Sequence, residues 1–205
     1  MIFLKFIVLS SVLSYLIGSI SFAVIFSKKL TGRDVRTAGS GNAGATNVLR
    51  TSGKKAAALV FLFDFIKGFI AVTLAKCFVS VFDAPYVCVY FAGFFAQLGH
   101  CFPVFFGFRG GKGVTTAAGA ATAIMPAPAA VLIAIFALTA LLTKTASIAS
   151  CTSAVLYPLL AYFMTGSKNI FNFTFAAACS VLIIIMHGSN IARLLDGEEK
   201  PVSSK

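Results

Sequence analysis

The sequence predicts an all-α integral membrane protein, a bundle of about seven transmembrane helices with its N-terminus outside and its C-terminus cytoplasmic, in a single domain over residues 1–205. Three observations lead there. Only 11% of the residues are charged and 59% are hydrophobic, whereas a soluble domain carries about 25% charged residues. Seven apolar stretches near the length that spans a bilayer, about 17–25 residues, fall at 3–26, 56–79, 86–106, 110–126, 128–144, 147–165 and 170–190. The basic residues between them fall mostly on one side.

The first stretch runs from Phe6 to Phe26 with only light interruption by Ser and Gly. That exceeds the roughly 7–15-residue core of a signal peptide, so it reads as a retained span. The second carries Asp64 and Lys67 at i, i+3; charges inside a span are costly, and these are expected to pair or to face the bundle interior. The third ends in Gly99-His-Cys-Phe-Pro103, and Lys112 opens the fourth. Fourth and fifth are divided at Met125-Pro-Ala-Pro128, since two prolines two apart remove donors and favour a turn. The sixth starts beside Ser147 and Ser150, and the seventh leads into His187. No soluble domain, low-complexity linker or internal repeat is visible.

With the N-terminus outside, seven crossings place Lys28, Lys29, Arg33, Arg36, Arg50, Lys54, Lys55, Arg109, Lys112, Lys144, Arg193, Lys200 and Lys205 on the cytoplasmic side. Only Lys5, Lys76 and Lys168 lie outside, with Lys67 inside the second span. Cytoplasmic loops are enriched in Lys and Arg. Six crossings would move Lys144, Arg193 and Lys200 outside and divide the polar segments between two faces. The net charge of +11 therefore reports topology and anionic lipid head groups, not nucleic acid. Cys77, Cys88, Cys101, Cys151 and Cys179 form no Cys-x-x-Cys pair and read as small packing residues, not metal ligands or disulfides.

Three polar segments interrupt this apolar chain. The first, Gly39-Ser-Gly-Asn-Ala-Gly-Ala-Thr-Asn-Val-Leu-Arg50, combines glycines, amides and a cation. Such a loop turns several backbone N–H groups toward one anion, and Asn42, Thr46, Asn47 and Arg50 add donors suited to phosphate oxygens. Its Gly-x-Gly-x-x-Gly spacing matches a dinucleotide fingerprint, but no strand precedes it and Asp64 lies in an apolar helix. The second contains Gly110-Gly-Lys-Gly113. It fails the nucleotide P-loop pattern because Gly113 stands where Ser or Thr should hold magnesium. A glycine-flanked lysine at a helix start still suits an anion. In the third, His187, Asn190 and Arg193 follow at three-residue intervals, so His187 and Asn190 share a helix face with Arg193 near it.

Together the segments resemble the bacterial PlsY-type acyl-phosphate:glycerol-3-phosphate acyltransferases. The resemblance rests on Gly39 to Arg50, preceded by Gly18-Ser-Ile20 and Arg33-Asp-Val-Arg36; on Gly99-His100-x-Phe102-Pro103-Val104-Phe105 with Gly110 to Val114; and on His187-x-x-Asn190-Ile191-x-Arg193-Leu194 with Gly197-x-Glu199. Pro201 departs from it where a lysine is frequent, with Lys200 one place early; Lys144 and Ser21 are milder departures.

The resemblance implies a seven-helix enzyme of the bacterial inner membrane with its active site on the cytoplasmic face. Its substrates would be acyl phosphate and glycerol 3-phosphate, its products lysophosphatidate and phosphate. An acyl phosphate is already activated, so no metal, cofactor, enzyme nucleophile or protein partner is required beyond membrane lipid. His187, Asn190 and Lys112 are then expected to be catalytic. Ser40, Gly41, Asn42, Gly44, Thr46, Asn47 and Arg50 are expected to hold one phosphate; Gly111, Ser147, Arg193 and Glu199, with Lys112 and Asn190, would serve the other. Either His187 or the leaving phosphate could take the hydroxyl proton. The His-x-x-x-x-Asp dyad of soluble-headed acyltransferases is absent, because residue 105 is Phe and residue 192 is Ala. The alternative from another class is a transporter for a phosphorylated solute, which should place its ligands near the bilayer midplane.

Overall fold

The computed structural model describes residues 2–165 and 169–202; Lys168 and Lys205, two of the charges used for topology, lie outside the described residues. Among the described residues the chain is helical with no strand: α1 (Ile2–Gly18), α2 (Phe22–Thr31), α3 (Ala45–Phe82), α4 (Val87–Cys101), α5 (Val114–Ile124), α6 (Pro126–Thr143), α7 (Ala146–Met164), α8 (Ile170–Met186) and α9 (Gly188–Leu195). Single 3₁₀ turns at Val35–Thr37 and Val104–Phe106 complete it.

All seven predicted apolar stretches are helices, but they are not equivalent. Five are long and apolar enough to cross a membrane: Phe3–Thr31, Ala45–Phe82, Val87–Phe106, Pro126–Thr143 and Ala146–Met164. The predicted seventh is a bent pair, α8 and α9, with 59° between them. The predicted fourth is the exception. α5 has 11 residues and rises about 16 Å, roughly half a hydrocarbon core. Its last carbonyls need partners, and Lys76 Nζ donates to the Ala123 carbonyl at 2.6 Å. Pro126, lacking an N–H, then starts α6 at its first turn.

Two further boundaries differ from expectation. The first span breaks at Ser19–Ser21 and resumes as α2, which ends at Gly32 with φ 71, its N–H bonded to the Lys28 carbonyl. The second begins eleven residues before position 56, so part of the predicted loop is the start of α3. That helix is broken at Gly53, where φ is 86 and ψ 175.

Small residues set the closest packing, as expected where lipid supplies no hydrophobic drive between helices. A Cβ on Gly18 would stand 2.1 Å from the Ala96 carbonyl oxygen, and one on Gly99 would stand 2.2 Å from that of Tyr15, so α1 and α4 touch backbone to backbone. Gly68 and Gly119 join α3 to α5 in the same way, at 2.1 and 2.0 Å from the Thr116 and Phe65 carbonyl oxygens. The core lies where α3, α4, α5, α7 and α8 meet, around Val72, Val89, Ala120, Tyr157, Phe175 and Cys179. α6 is on the outside, with Leu138, Leu141 and Leu142 exposed.

Candidate active site

A cavity of about 880 Å³ opens at one end of the bundle, the end where α3, α5 and α7 begin and α4, α6 and α8 finish. Four helix N-termini line it: Gly44 to Thr46 of α3, Gly113 to Thr115 of α5, Ala146 and Ser147 of α7, and His187 with Ser189 at the start of α9. Each leaves main-chain N–H groups without helical partners and carries the positive end of a helix dipole. Arg50, Lys112, Arg193 and Lys200 add four cations. Such a site suits phosphate esters.

The first segment is built around Asn47. Its Nδ2 lies 3.0 Å from the carbonyls of Val35 and Ala38 and 3.1 Å from that of Asn42, while its Oδ1 accepts the Ser40 N–H at 3.0 Å. Expected as a phosphate ligand, Asn47 has its side chain fully engaged with main chain. It holds the loop and is also part of the cavity wall. Gly39 and Gly41 take φ of 60 and 72, and a Cβ on Gly39 would stand 2.2 Å from Asn47 Oδ1. Ser40, Gly41, Asn42, Gly44 and Thr46 line the cavity.

Arg36 ties this loop to the second segment. Its Nε and Nη2 grip Asp34 at 3.1 and 2.9 Å, and its Nη1 donates to the Phe106 carbonyl at 2.6 Å. The guanidinium bonds hold the Asp34 carboxyl far below the usual carboxylate range, against the opposing effect of burial. The Ala43 N–H meets the Gly110 carbonyl at 3.4 Å.

Glu199 organises the rest. Its Oε1 accepts from Ser147 Oγ and from Asn190 Nδ2 at 2.6 Å, and its Oε2 from Arg193 Nε at 2.8 Å. Burial alone would raise its pKa, but these three donors outweigh burial and hold the carboxyl below its ordinary value. Glu199, part of the cavity wall, fixes Ser147, Asn190 and Arg193 relative to one another. Asn190 Nδ2 also donates to Ser147 Oγ at 2.9 Å, and its Oδ1 accepts from Lys112 Nζ. The chain Lys112–Asn190–Ser147–Glu199–Arg193 thus joins the second and third segments. Gly111 is not part of the cavity wall; it packs beneath it, against His100.

Burial pulls the Lys112 ammonium down to about 8, with Arg193 and Arg50 adding to the effect and Glu199 opposing it. His187 is also buried. Its Nδ1 lies 2.8 Å from the Ile183 carbonyl, which can only accept, so Nδ1 carries the hydrogen and Nε2 keeps its lone pair. Burial and the Lys112 charge push the imidazole down to about 4, which keeps it neutral near pH 7.

The C-terminal segment straps the cavity mouth. Arg50 Nη2 donates to the carbonyls of Lys200 and Pro201 at 2.9 and 2.8 Å, and the Val202 N–H reaches the Lys144 carbonyl at 2.8 Å. The contact at residue 201 is made by a main-chain carbonyl, which proline supplies as any residue does. Two residues that sequence reading had not placed in the site, Asp64 and His100, also line the cavity. Asp64 does pair with Lys67, at 2.8 Å. An acid inside an apolar span was the signal available.

An apolar slot continues from the polar cavity. Phe61, Val114, Thr115, Phe136 and Ser150 belong to both, and Ala121, Ala129, Leu132 and Tyr157 line the slot further along.

Residues 8–197 match the family model described as Glycerol-3-phosphate acyltransferase. A protein of that name from Neisseria meningitidis serogroup A / serotype 4A (strain DSM 15465 / Z2491) is 45% identical over 196 residues, covering 94% of this chain and 95% of its own length. Another, from Jannaschia sp. (strain CCS1), is 41% identical over 194 residues, covering 95% and 92%. The crystal structure of PlsY (YgiH), an integral membrane glycerol 3-phosphate acyltransferase, in its glycerol 3-phosphate form superposes with a TM-score of 0.86 at 39% identity, covering 95% of this chain and 94% of that one. Its lysophosphatidic acid form gives a TM-score of 0.83 at 37% identity, with the same coverage.

Proposed function

The chain belongs to the glycerol-3-phosphate acyltransferase family, and from that premise we propose that it moves an acyl chain from acyl phosphate to the 1-hydroxyl of glycerol 3-phosphate. One observation carries the reading: a cation-lined cavity ringed by four helix N-termini runs into an apolar slot. Phosphate groups suit the first and an acyl chain suits the second.

The hydroxyl oxygen attacks the acyl carbonyl carbon, the bond from that carbon to the phosphate oxygen breaks, and inorganic phosphate leaves with the electron pair. Lys112, Arg193 and the N-termini of α5 and α7 bear on one phosphate. Arg50, Ser40, Thr46 and the amides at the start of α3 bear on the other. The hydroxyl proton goes to the leaving phosphate. Even a phosphate monoester titrates at about 6 and free phosphate is more basic, so it is a stronger base than an imidazole held at about 4. His187 accepts a hydrogen bond from the hydroxyl at Nε2 and orients it.

A bundle-end site on the cytoplasmic face of the inner membrane accords with the charge bias between the two sides. A site at one end also fits an enzyme better than a transporter. The test is an assay in detergent with acyl phosphate and glycerol 3-phosphate. Lysophosphatidate and phosphate should form one to one, without a sealed compartment. Absence of product, or equal use of an acyl thioester, would overturn the reading. His187→Ala should lose less activity than Lys112→Ala, whereas an essential general base contributes about 10²–10⁴-fold.

A further inference from the structure

Asp64, Lys67 and His100 form a buried charged cluster for which acyl transfer as written has no use. Lys67 Nζ lies 2.8 Å from Asp64 Oδ1 and donates to the Ile20 carbonyl, also at 2.8 Å, in the break between α1 and α2. His100 Nδ1 is 3.5 Å from the same Asp64 oxygen. The three residues are 2%, 3% and 7% exposed. A buried ion pair is weak support for stability, since apolar replacements are often neutral or better. Within a membrane segment it points to a functional role.

His100 touches the Lys112 turn at several points. Its carbonyl accepts the Gly111 N–H at 3.1 Å. Its ring lies so close that a Cβ on Gly111 would stand 2.2 Å from Nε2 and 3.0 Å from Cε1. A Cβ on Gly110 would stand 2.0 Å from the His100 carbonyl oxygen. Neither Gly110 nor Gly111 has a positive φ, so it is close approach, not backbone freedom, that calls for glycine at both positions: His100 is the nearest neighbour of each, with Pro103 and the Cys101 carbonyl also close to Gly110 and the Ala43 carbonyl to Gly111. The Asp64 carboxylate stands 3.5 Å from Nδ1, near enough to bias the hydrogen toward that nitrogen but longer than a formed hydrogen bond.

We infer that His100, oriented by Asp64, is the seat on which the Gly110–Gly111–Lys112 turn is built, which makes both of them positioning residues for Lys112. The inference deepens the acyl-transfer reading and rests on it. Lys112 reaches Asn190 only if its own backbone is held, and residues 110 and 111 have no side chain with which to hold it: the Gly111 bond to the His100 carbonyl is joined by the 3.4 Å Ala43 contact and by packing against Pro103 and Cys101.

The experiment is a double-mutant cycle between His100→Ala and Gly111→Ala, reading kcat, KM and the rise in Tm that glycerol 3-phosphate or inorganic phosphate produces. Each single change should lower kcat/KM by about tenfold or more. The double variant should lose less than the two single losses multiplied, because removal of the imidazole relieves the closer of the two contacts the new methyl meets, the Ala43 carbonyl oxygen at 2.8 Å remaining, a coupling within the range of contacting residues. Asp64→Asn should act in the same direction as His100→Ala and more weakly. If His100→Ala does not purify folded, His100→Asn takes its place in the cycle. Activity of the His100 variant within twofold of the parent, or single losses that multiply, would overturn the inference. If the parent makes no lysophosphatidate, the acyl-transfer reading fails. The inference is then judged by whether both single variants lose the phosphate-induced Tm rise.

Discussion

Lys112 donates to the side chain of Asn190, joining a glycine turn before α5 to the bend after α8 across 78 positions of sequence. The bond places a cation and an amide side by side at the mouth of an apolar slot. It also makes Lys112 the residue through which pH should act on the site.

The ammonium is the form that pairs with phosphate, and its proton is lost as pH rises through about 8. The kcat/KM profile, which reports the free enzyme, should therefore fall on the alkaline side from about 8. Lys112→Arg stays charged throughout and should abolish that fall, at a lower plateau because the guanidinium does not fit the ammonium's place beside Asn190. Lys112→Ala should cost about 10²–10³-fold. An alkaline limb unchanged in Lys112→Arg would separate the titration from this residue. His187, at about 4, should contribute no limb near neutral pH.

Glu199→Gln should be more harmful than its near-identical shape suggests. Whichever way the amide turns, one of its two ends faces a donor it cannot accept from, either Arg193 or the Ser147–Asn190 pair. Loss of one hydrogen bond to a charged group is worth about 1.5–3 kcal/mol, or roughly a ten- to hundredfold fall in kcat/KM. A steady-state measurement within threefold of the parent would remove Glu199 from its organising role.

Asn47 and Asn42 sit five residues apart and should behave differently. Asn47→Ala leaves the Val35, Ala38 and Asn42 carbonyls and the Ser40 N–H without their shared partner. It should lower Tm measurably, by an amount corresponding to about 1–3 kcal/mol for buried groups left unsatisfied. Asn42, which lines the cavity, should change KM when replaced by Ala and leave Tm alone. Thermal unfolding in detergent with parallel kinetics decides between the two effects.

Pro201→Lys should be silent within twofold. Arg50 bonds the carbonyl at this position, and every residue has one. Arg50→Ala should by contrast release the strap and weaken substrate binding. If Pro201→Lys raised activity severalfold, a side-chain role at 201 would have to replace the carbonyl contact.

Much of the molecule was legible in the chain. Low charge, long apolar stretches and one-sided lysines and arginines state the solvent and the helices, because hydropathy is a local property. The three polar segments announced anion chemistry for the same reason: glycine, amide and cation at short spacing need no tertiary partner to be recognised. Even the turn at Met125–Pro126 follows from proline chemistry alone.

What each polar side chain does was decided by the tertiary structure. Asn47 and Thr46 are neighbours of similar polarity and both line the cavity, yet only Asn47 has its side chain bonded to the loop. Glu199 became a hub because Ser147 of α7 and Asn190 and Arg193 of α9 arrive around it. Lys76, 47 residues away, supplies the donor that the Ala123 carbonyl near the end of α5 needs at half a bilayer. Asp64 and His100 reach the cavity only through the packing of α3 against α4. The partner of a polar group depends on the register between helices distant in sequence, and composition and spacing do not carry that information.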